Sequence, residues 1–174
     1  MLQAKHINRQ IKRPIPKVDD EPPARKFLAF TLSLEEFCID LSLVQDILDF
    51  EVLDAIPKSM PDFVSGQLSF RGEMIPAIDM RTLFNIGSTT VDAYTPIIVV
   101  LVKDHYVGLI VDCIIDEIQI SSSQIKSIFT SLGSDFDFMI ASSVVENRKI
   151  VIIDVEKLIL TQEIISQKET IACH

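Results

Sequence analysis

Side chains capable of acid–base, nucleophilic or metal chemistry are few in this sequence and poorly spaced for it. His6 lies in a basic N-terminal stretch, His105 between two apolar runs and His174 at the last position, so none stands beside a serine or cysteine it could activate. Cys38, Cys113 and Cys173 are odd in number and far apart. That fits neither a disulfide framework nor a paired-cysteine zinc site, and Cys38 and Cys113 read as small core residues. Two carboxylate pairs remain, Glu35-Glu36 and Asp116-Glu117, but neighbours on a strand point to opposite faces and cannot converge on one substrate atom. The five glycines form neither a dinucleotide fingerprint nor a phosphate loop. The residues therefore predict a protein that binds rather than catalyses, with no catalytic set, metal or cofactor.

The charged residues that do stand out interrupt an apolar stretch. Residues 64–84 read VSGQLSFRGEMIPAIDMRTLF, with Arg71-Gly72-Glu73 between two greasy runs. Gly72 can take the positive φ of a tight hairpin turn. Leu68 and Phe70 then share one strand face. Pro76 has no N–H for a ladder, so its strand is expected at an edge, at a bulge or locally unpaired. Asp79 can cap the turn of helix that follows, and Arg81 can fold back onto a carboxylate or carbonyls.

These residues must be held by short strands. Runs at 27–32 and 37–39, 64–70 and 74–78, 97–102 and 106–111, and 139–145 and 150–153 are rich in β-branched residues and separated by turn chemistry, which predicts four hairpins. Helices are expected to be short. One follows Asp40 through Leu41, Val44, Ile47 and Leu48; one is capped by Asp79; one follows the capping-box spacing Ser121 to Gln124; a longer one follows Asp154, with Val155, Leu158, Ile159 and Ile165 on one face. Ile97, Ile98, Ile114 and Ile115 are expected in the core. Many short strands with few crossovers predict an all-β fold, and two small barrels suit them better than one large one.

Composition sets the remaining limits. The 174 residues are 48% hydrophobic, yet the longest apolar run is only six residues, 97–102, far short of the ~20 a membrane-spanning helix needs. The start of the chain has no apolar signal-peptide core, so a cytoplasmic protein without membrane insertion is expected. The net charge of −9 is uneven: residues 1–26 carry +4, which leaves −13 on the rest. An acidic body excludes nucleic acid as a natural partner. Residues 1–26, with four of the eight prolines, read as a flexible basic extension; 27–166 as the folded domain; 167–174 as a tail.

Taken together, the motifs resemble the CheW-like coupling domain. Residues 64–84 match the family signature V-x-G-x-x-N-L-R-G-x-x-I-P-x-x-D-L-R-x-x-F. Residues 27–32 with Glu36-Phe37-Cys38-Ile39-Asp40 are similar to its opening F-x-L-x-x-E-x-Y-G-I-D. Val44-Gln45-Asp46-Ile47 is similar to V-x-E-I, Ile56-Pro57 with Met60-Pro61 to x-V-P-x-x-P, and residues 108–112 to G-L-x-V-D. The resemblance covers roughly residues 27–160. It departs at Asp46, one methylene shorter than the family glutamate, at Ser69-Phe70 in place of Asn-Leu, and at Cys38 in place of glycine.

The resemblance implies two five-stranded SH3-like β-barrels side by side with a C-terminal helix. It also implies a chemotaxis adaptor without activity of its own, linking the cytoplasmic tips of methyl-accepting receptors to the regulatory domain of a CheA-type histidine kinase. A coupling protein of a related chemosensory pathway would carry the same motifs, whereas a small-molecule-binding barrel would need a closed cavity lined by polar groups. Carried over by position, the interface residues are Val44, Asp46, Gly66 and Arg71, with Pro96 at a kinase-facing end. The family's pairing of glutamate with arginine becomes an expected Asp46–Arg71 bridge.

Overall fold

The computed structural model describes residues 23–87, 91–127 and 137–161. The chain begins in one sheet with β1 (Arg25–Leu32) and β2 (Glu35–Asp40). It then lays down a second sheet from β3 (Val44–Asp49), β4 (Val64–Phe70), β5 (Glu73–Asp79), β6 (Pro96–Val102) and β7 (His105–Ile110). It returns to the first with β8 (Cys113–Ile120), β9 (Lys126–Ser127), β10 (Met139–Val145) and β11 (Arg148–Ile153). The strand orders are β8-β1-β2-β11-β10-β9 and β3-β6-β7-β5-β4. The fold is thus all-β, and the first sheet exceeds the expected five strands only by the two-residue β9.

Both sheets curl because their edges are joined at short range. Five residues, 121–125, connect β8 at one edge of the first sheet to β9 at the other. In the second, Asp54, five residues beyond β3, bridges Gln67 on the opposite edge strand β4.

All four expected hairpins form, and their turns explain the residues between them. Arg71 and Gly72 both have positive φ, 51° and 84°, as do Lys103 and Asp104 at 46° and 65° and Glu146 and Asn147 at 49° and 65°. Two consecutive left-handed residues give the turn twist that matches the strands they join. β5 is not the edge that Pro76 suggested: it lies between β4 and β7. Its parallel ladder with β7 begins only at Ala77, so the missing N–H of Pro76 costs no bond there.

Two of the four expected helices are replaced in the structure. After Asp40 there is one 3-10 turn, Leu41–Leu43, and Val44 is already extended, so Val44, Ile47 and Leu48 lie on strand β3. Backbone pairing with β6 outweighs the local helical spacing. Ser121 to Gln124 likewise gives only a 3-10 turn, in which the Gln124 side chain accepts the Ser121 N–H at 3.0 Å, and β9 follows at once. The last helix, α2 (Val155–Thr161), buries Val155, Leu158 and Ile159 as expected; Ile165 lies outside the described residues. The helix capped by Asp79 is α1 (Met80–Leu83), whose Arg81 and Thr82 N–H groups bond the Asp79 carboxylate.

The two sheets share one core. Phe30, Phe37 and Ile39 of the first pack with Ile78 and Ile98 of the second and with Met80 of the helix that follows β5 in one cluster, which also holds Phe84 and Phe138, edge to face at 5.4 Å. Each sheet also keeps a cluster of its own, around Phe27, Ile118 and Ile150 in the first and around Phe70, Ile75 and Val99 in the second. Ile97 and Ile98 are fully buried, but Ile114 and Ile115 are half-buried at the edge strand β8 and Cys113 is exposed. The described domain starts at β1 with Arg25 and Lys26, two residues earlier than the sequence suggested.

Candidate functional site

Where the edge strand β3 of one sheet faces β1 and β8 of the other, the molecule has an open groove of about 410 Å³. Leu28, Leu41 and Val44 give it an apolar floor, Ile47 an apolar shoulder that is 43% exposed, and Asp46 and Glu117 an acidic rim. A β-bulge shapes this wall. Val44 pairs with Val100 and Asp46 with Val99, so two steps on β3 oppose one on β6. Such bulges re-aim side chains at sheet edges, and this one sits between the two groove residues Val44 and Asp46.

Val44 and Asp46 therefore share one surface, and the other three candidates stand apart from it. Asp46 does not bond Arg71; its Oδ1 accepts the Ile47 N–H at 2.9 Å. Arg71 lies at the β4–β5 turn. Its guanidinium sits 4.9 Å from the Phe70 ring and 5.8 Å from the Tyr106 ring, and its Nη1 donates to the Tyr106 hydroxyl at 3.4 Å. The expected Asp46–Arg71 bridge is thus replaced by an aromatic seat. The physical reason is where each group is engaged: Phe70 and Tyr106 hold the guanidinium at its own turn, while the Asp46 carboxylate turns back onto the backbone of β3.

Gly66 and Pro96 have structural roles that can be read directly. A Cβ on Gly66 would fall 2.6 Å from the Leu53 Cβ and 2.8 Å from the Asp54 carbonyl oxygen, so glycine is what lets the bridging segment close the barrel. Pro96 opens β6 at the end of the sheet away from Arg71, and its carbonyl accepts the Val111 N–H at 3.2 Å.

Sequence reasoning missed Leu28 and Glu117 on the far wall of the groove, and Tyr106 beneath Arg71. Glu117 carried a signal, the alternation in CIIDEIQI that makes β8 a half-buried strand with its charges on the open side. Leu28 and Tyr106 carried none, since each looks like any apolar strand residue. Arg81 does fold onto a carboxylate: its Nε donates to Asp112 Oδ1 at 2.5 Å and its Nη2 to Oδ2, and these bonds push its already high pKa further up.

Among the described residues the ionisable groups of Arg81, Cys38 and Asp40 depart clearly from their ordinary values. Burial pushes the Cys38 thiol up to about 12, which makes it inert rather than nucleophilic. Asp40 feels a raising effect from burial that is outweighed by its bonds to Ser42 and Arg25, so its carboxyl sits below the ordinary range. Among the described residues no cluster of histidine, cysteine or carboxylate could hold a metal ion, and no helix is long and apolar enough to cross a membrane.

Comparison with known proteins agrees with this geometry. Residues 26–163 match the model of the CheW-like domain. The chain belongs to the CheW-like domain family. It is 29% identical over 152 residues to the chemotaxis protein CheW of Klebsiella aerogenes, spanning 86% of this chain and 90% of that one. With CheW of Bacillus subtilis it shares 31% over 130 residues, 74% and 83% of the two chains. The crystal structure of the scaffolding protein TtCheW from Thermoanaerobacter tengcongensis matches with a TM-score of 0.71 at 28% identity, covering 79% of this chain and 92% of that one. The CheW-like domain seen here thus carries the family's two-barrel architecture, with its inter-barrel groove built from Val44 and Asp46 on one side and Leu28 and Glu117 on the other.

Proposed function

We infer that this chain is a chemotaxis adaptor that couples receptors to the CheA kinase and acts by binding alone. The observation that carries the reading is the match of the CheW-like domain model to residues 26–163, and the open apolar groove between the barrels gives it a physical basis. A shallow trough with an apolar floor takes a helix face rather than a small molecule, because it cannot enclose a ligand but can bury residues spaced at i, i+3 and i+4. The cytoplasmic helical tip of a methyl-accepting receptor is its proposed occupant, with Val44 buried in the contact and Asp46 setting its register. The regulatory domain of a CheA-type histidine kinase is the second proposed partner, held at barrel ends, with Arg71 at one end and Pro96 at the other. The protein then works in the cytoplasm at membrane-associated receptor arrays.

Calorimetric titration with a receptor-tip hairpin and, separately, with the kinase regulatory domain tests this assignment. Both should bind wild type, Val44→Glu should weaken the hairpin at least tenfold, and Arg71→Ala should weaken one of the two partners. No binding of either partner by wild type would sink the adaptor reading.

A further inference from the structure

The chain crosses between the two sheets twice among the described residues, at 41–43 from β2 to β3 and at 111–112 from β7 to β8. The first crossing contributes Leu41 to the groove. At the second, Asp112 is bonded to both barrels. Its N–H donates to the Thr31 carbonyl at 3.1 Å, and its Oδ2 accepts the Ser33 N–H at 2.5 Å, both in the β1–β2 hairpin of the first sheet. Its two carboxylate oxygens also accept Nε and Nη2 of Arg81, which stands on α1 directly after β5 of the second sheet. Both side chains are mostly withdrawn from water, at 21% and 15% exposure.

The shared core holds the sheets together, but apolar burial is non-directional and allows one sheet to rotate on the other. A two-pronged guanidinium–carboxylate pair fixes an angle as well as a distance. This pair is placed to use that property. On the β1–β8 ladder Thr31 pairs with Cys113 and Leu28 with Glu117, so the clamp lies at one end of that ladder and the groove at its middle, about 10 Å away at ~3.3 Å per residue. A small change of angle at the clamp opens or narrows the groove.

We propose that Asp112, gripped by Arg81, is the positioning residue that locks the two barrels at one mutual angle and thereby sets the width of the inter-barrel groove. The link to binding rests on the groove being the receptor site; the lock itself does not. Replacing the carboxylate by its amide keeps the size and loses the charge-assisted fork, so the barrels should stay folded and packed while their mutual angle loosens.

The test uses the full chain with Cys113→Ser and Cys173→Ser, leaving buried Cys38 in place, and nitroxide labels at Lys103→Cys and Lys149→Cys, one exposed turn or strand-end site on each sheet. Pulsed electron resonance should give a narrow distance distribution that at least doubles in width in Asp112→Asn and in Arg81→Gln. Titration with a receptor-tip hairpin should show a fivefold or greater loss of affinity in the same variants. An unchanged width in folded Asp112→Asn overturns the lock, and Arg81→Lys, which keeps the charge without the fork, decides the matter if Asp112→Asn does not fold. A doubled width with wild-type affinity overturns the link to the groove. If wild type binds no receptor hairpin, the receptor reading fails while the distance widths still decide the lock.

Discussion

Arg71 rests on Tyr106 across the open end of the five-stranded sheet, its guanidinium over the ring and its Nη1 on the hydroxyl. The contact pre-orients a cation on a turn that would otherwise leave it free. Because it is exposed, a cation–π seat of this kind contributes only about 0.5–1 kcal/mol to stability. Arg71→Ala should therefore lower the unfolding free energy read from urea denaturation by no more than that while weakening a partner. A loss near 3 kcal/mol would mean that Arg71 holds the fold and is not primarily an interface residue.

Gly66 is where closure of the barrel is most sensitive to one methyl group. Gly66→Ala places a Cβ against the Leu53 Cβ and the Asp54 carbonyl, and neither can give way without moving the strand or its bridge. Overpacking of this kind costs about 1–3 kcal/mol. Denaturant unfolding should show that loss, and amide exchange at Gln67 and Asp54, which bond each other at 2.8 and 2.9 Å, should speed up relative to the β6–β7 ladder. An alanine variant with wild-type stability and exchange would contradict the close approach.

The β6–β7 turn can be improved. Lys103 and Asp104 sit at φ 46° and 65° without a glycine or asparagine between them. The pair Lys103→Asn with Asp104→Gly supplies the residues such turns favour and should raise stability by about 1 kcal/mol, read as a higher melting temperature. A lower melting temperature would show that the turn side chains contribute more than their backbone strain costs.

Acid should act through Asp40. Its folded pKa lies below the ordinary 3.8, so the unfolded chain binds the proton more tightly. The stabilisation is therefore in full force above about pH 4 and is lost as pH falls through the lower folded value. Asp40→Asn should lower stability at neutral pH and flatten the fall below pH 4, measured by urea unfolding at stepped pH. An acid limb as steep as in wild type would assign the effect to other carboxylates.

How much of this was legible in the sequence depended on whether the signal was local. The four hairpins were, because β-branched runs and turn residues act over a few positions. The cap on α1 was too, since Asp79 needs only the next three residues. Strand β3 was not: the spacing of Leu41, Val44, Ile47 and Leu48 is helical, and only β6, some 50 residues later, supplies the ladder that makes it extended. The same distance effect hid the partner of Arg71. Val44 and Asp46 were named through the likeness of Val44-Gln45-Asp46-Ile47 to V-x-E-I, a local motif, whereas Leu28 and Glu117 reach the groove only through the packing of one barrel on the other.

In the proposed function one molecule holds a receptor and a kinase at the same time. The most direct test mixes the full chain with a receptor-tip hairpin and the CheA-type regulatory domain and measures the mass of the product by light scattering after size exclusion. A single species containing all three components is expected, with each partner's affinity unchanged by the other. Displacement of one partner by the other would contradict it, because a shared site cannot couple them.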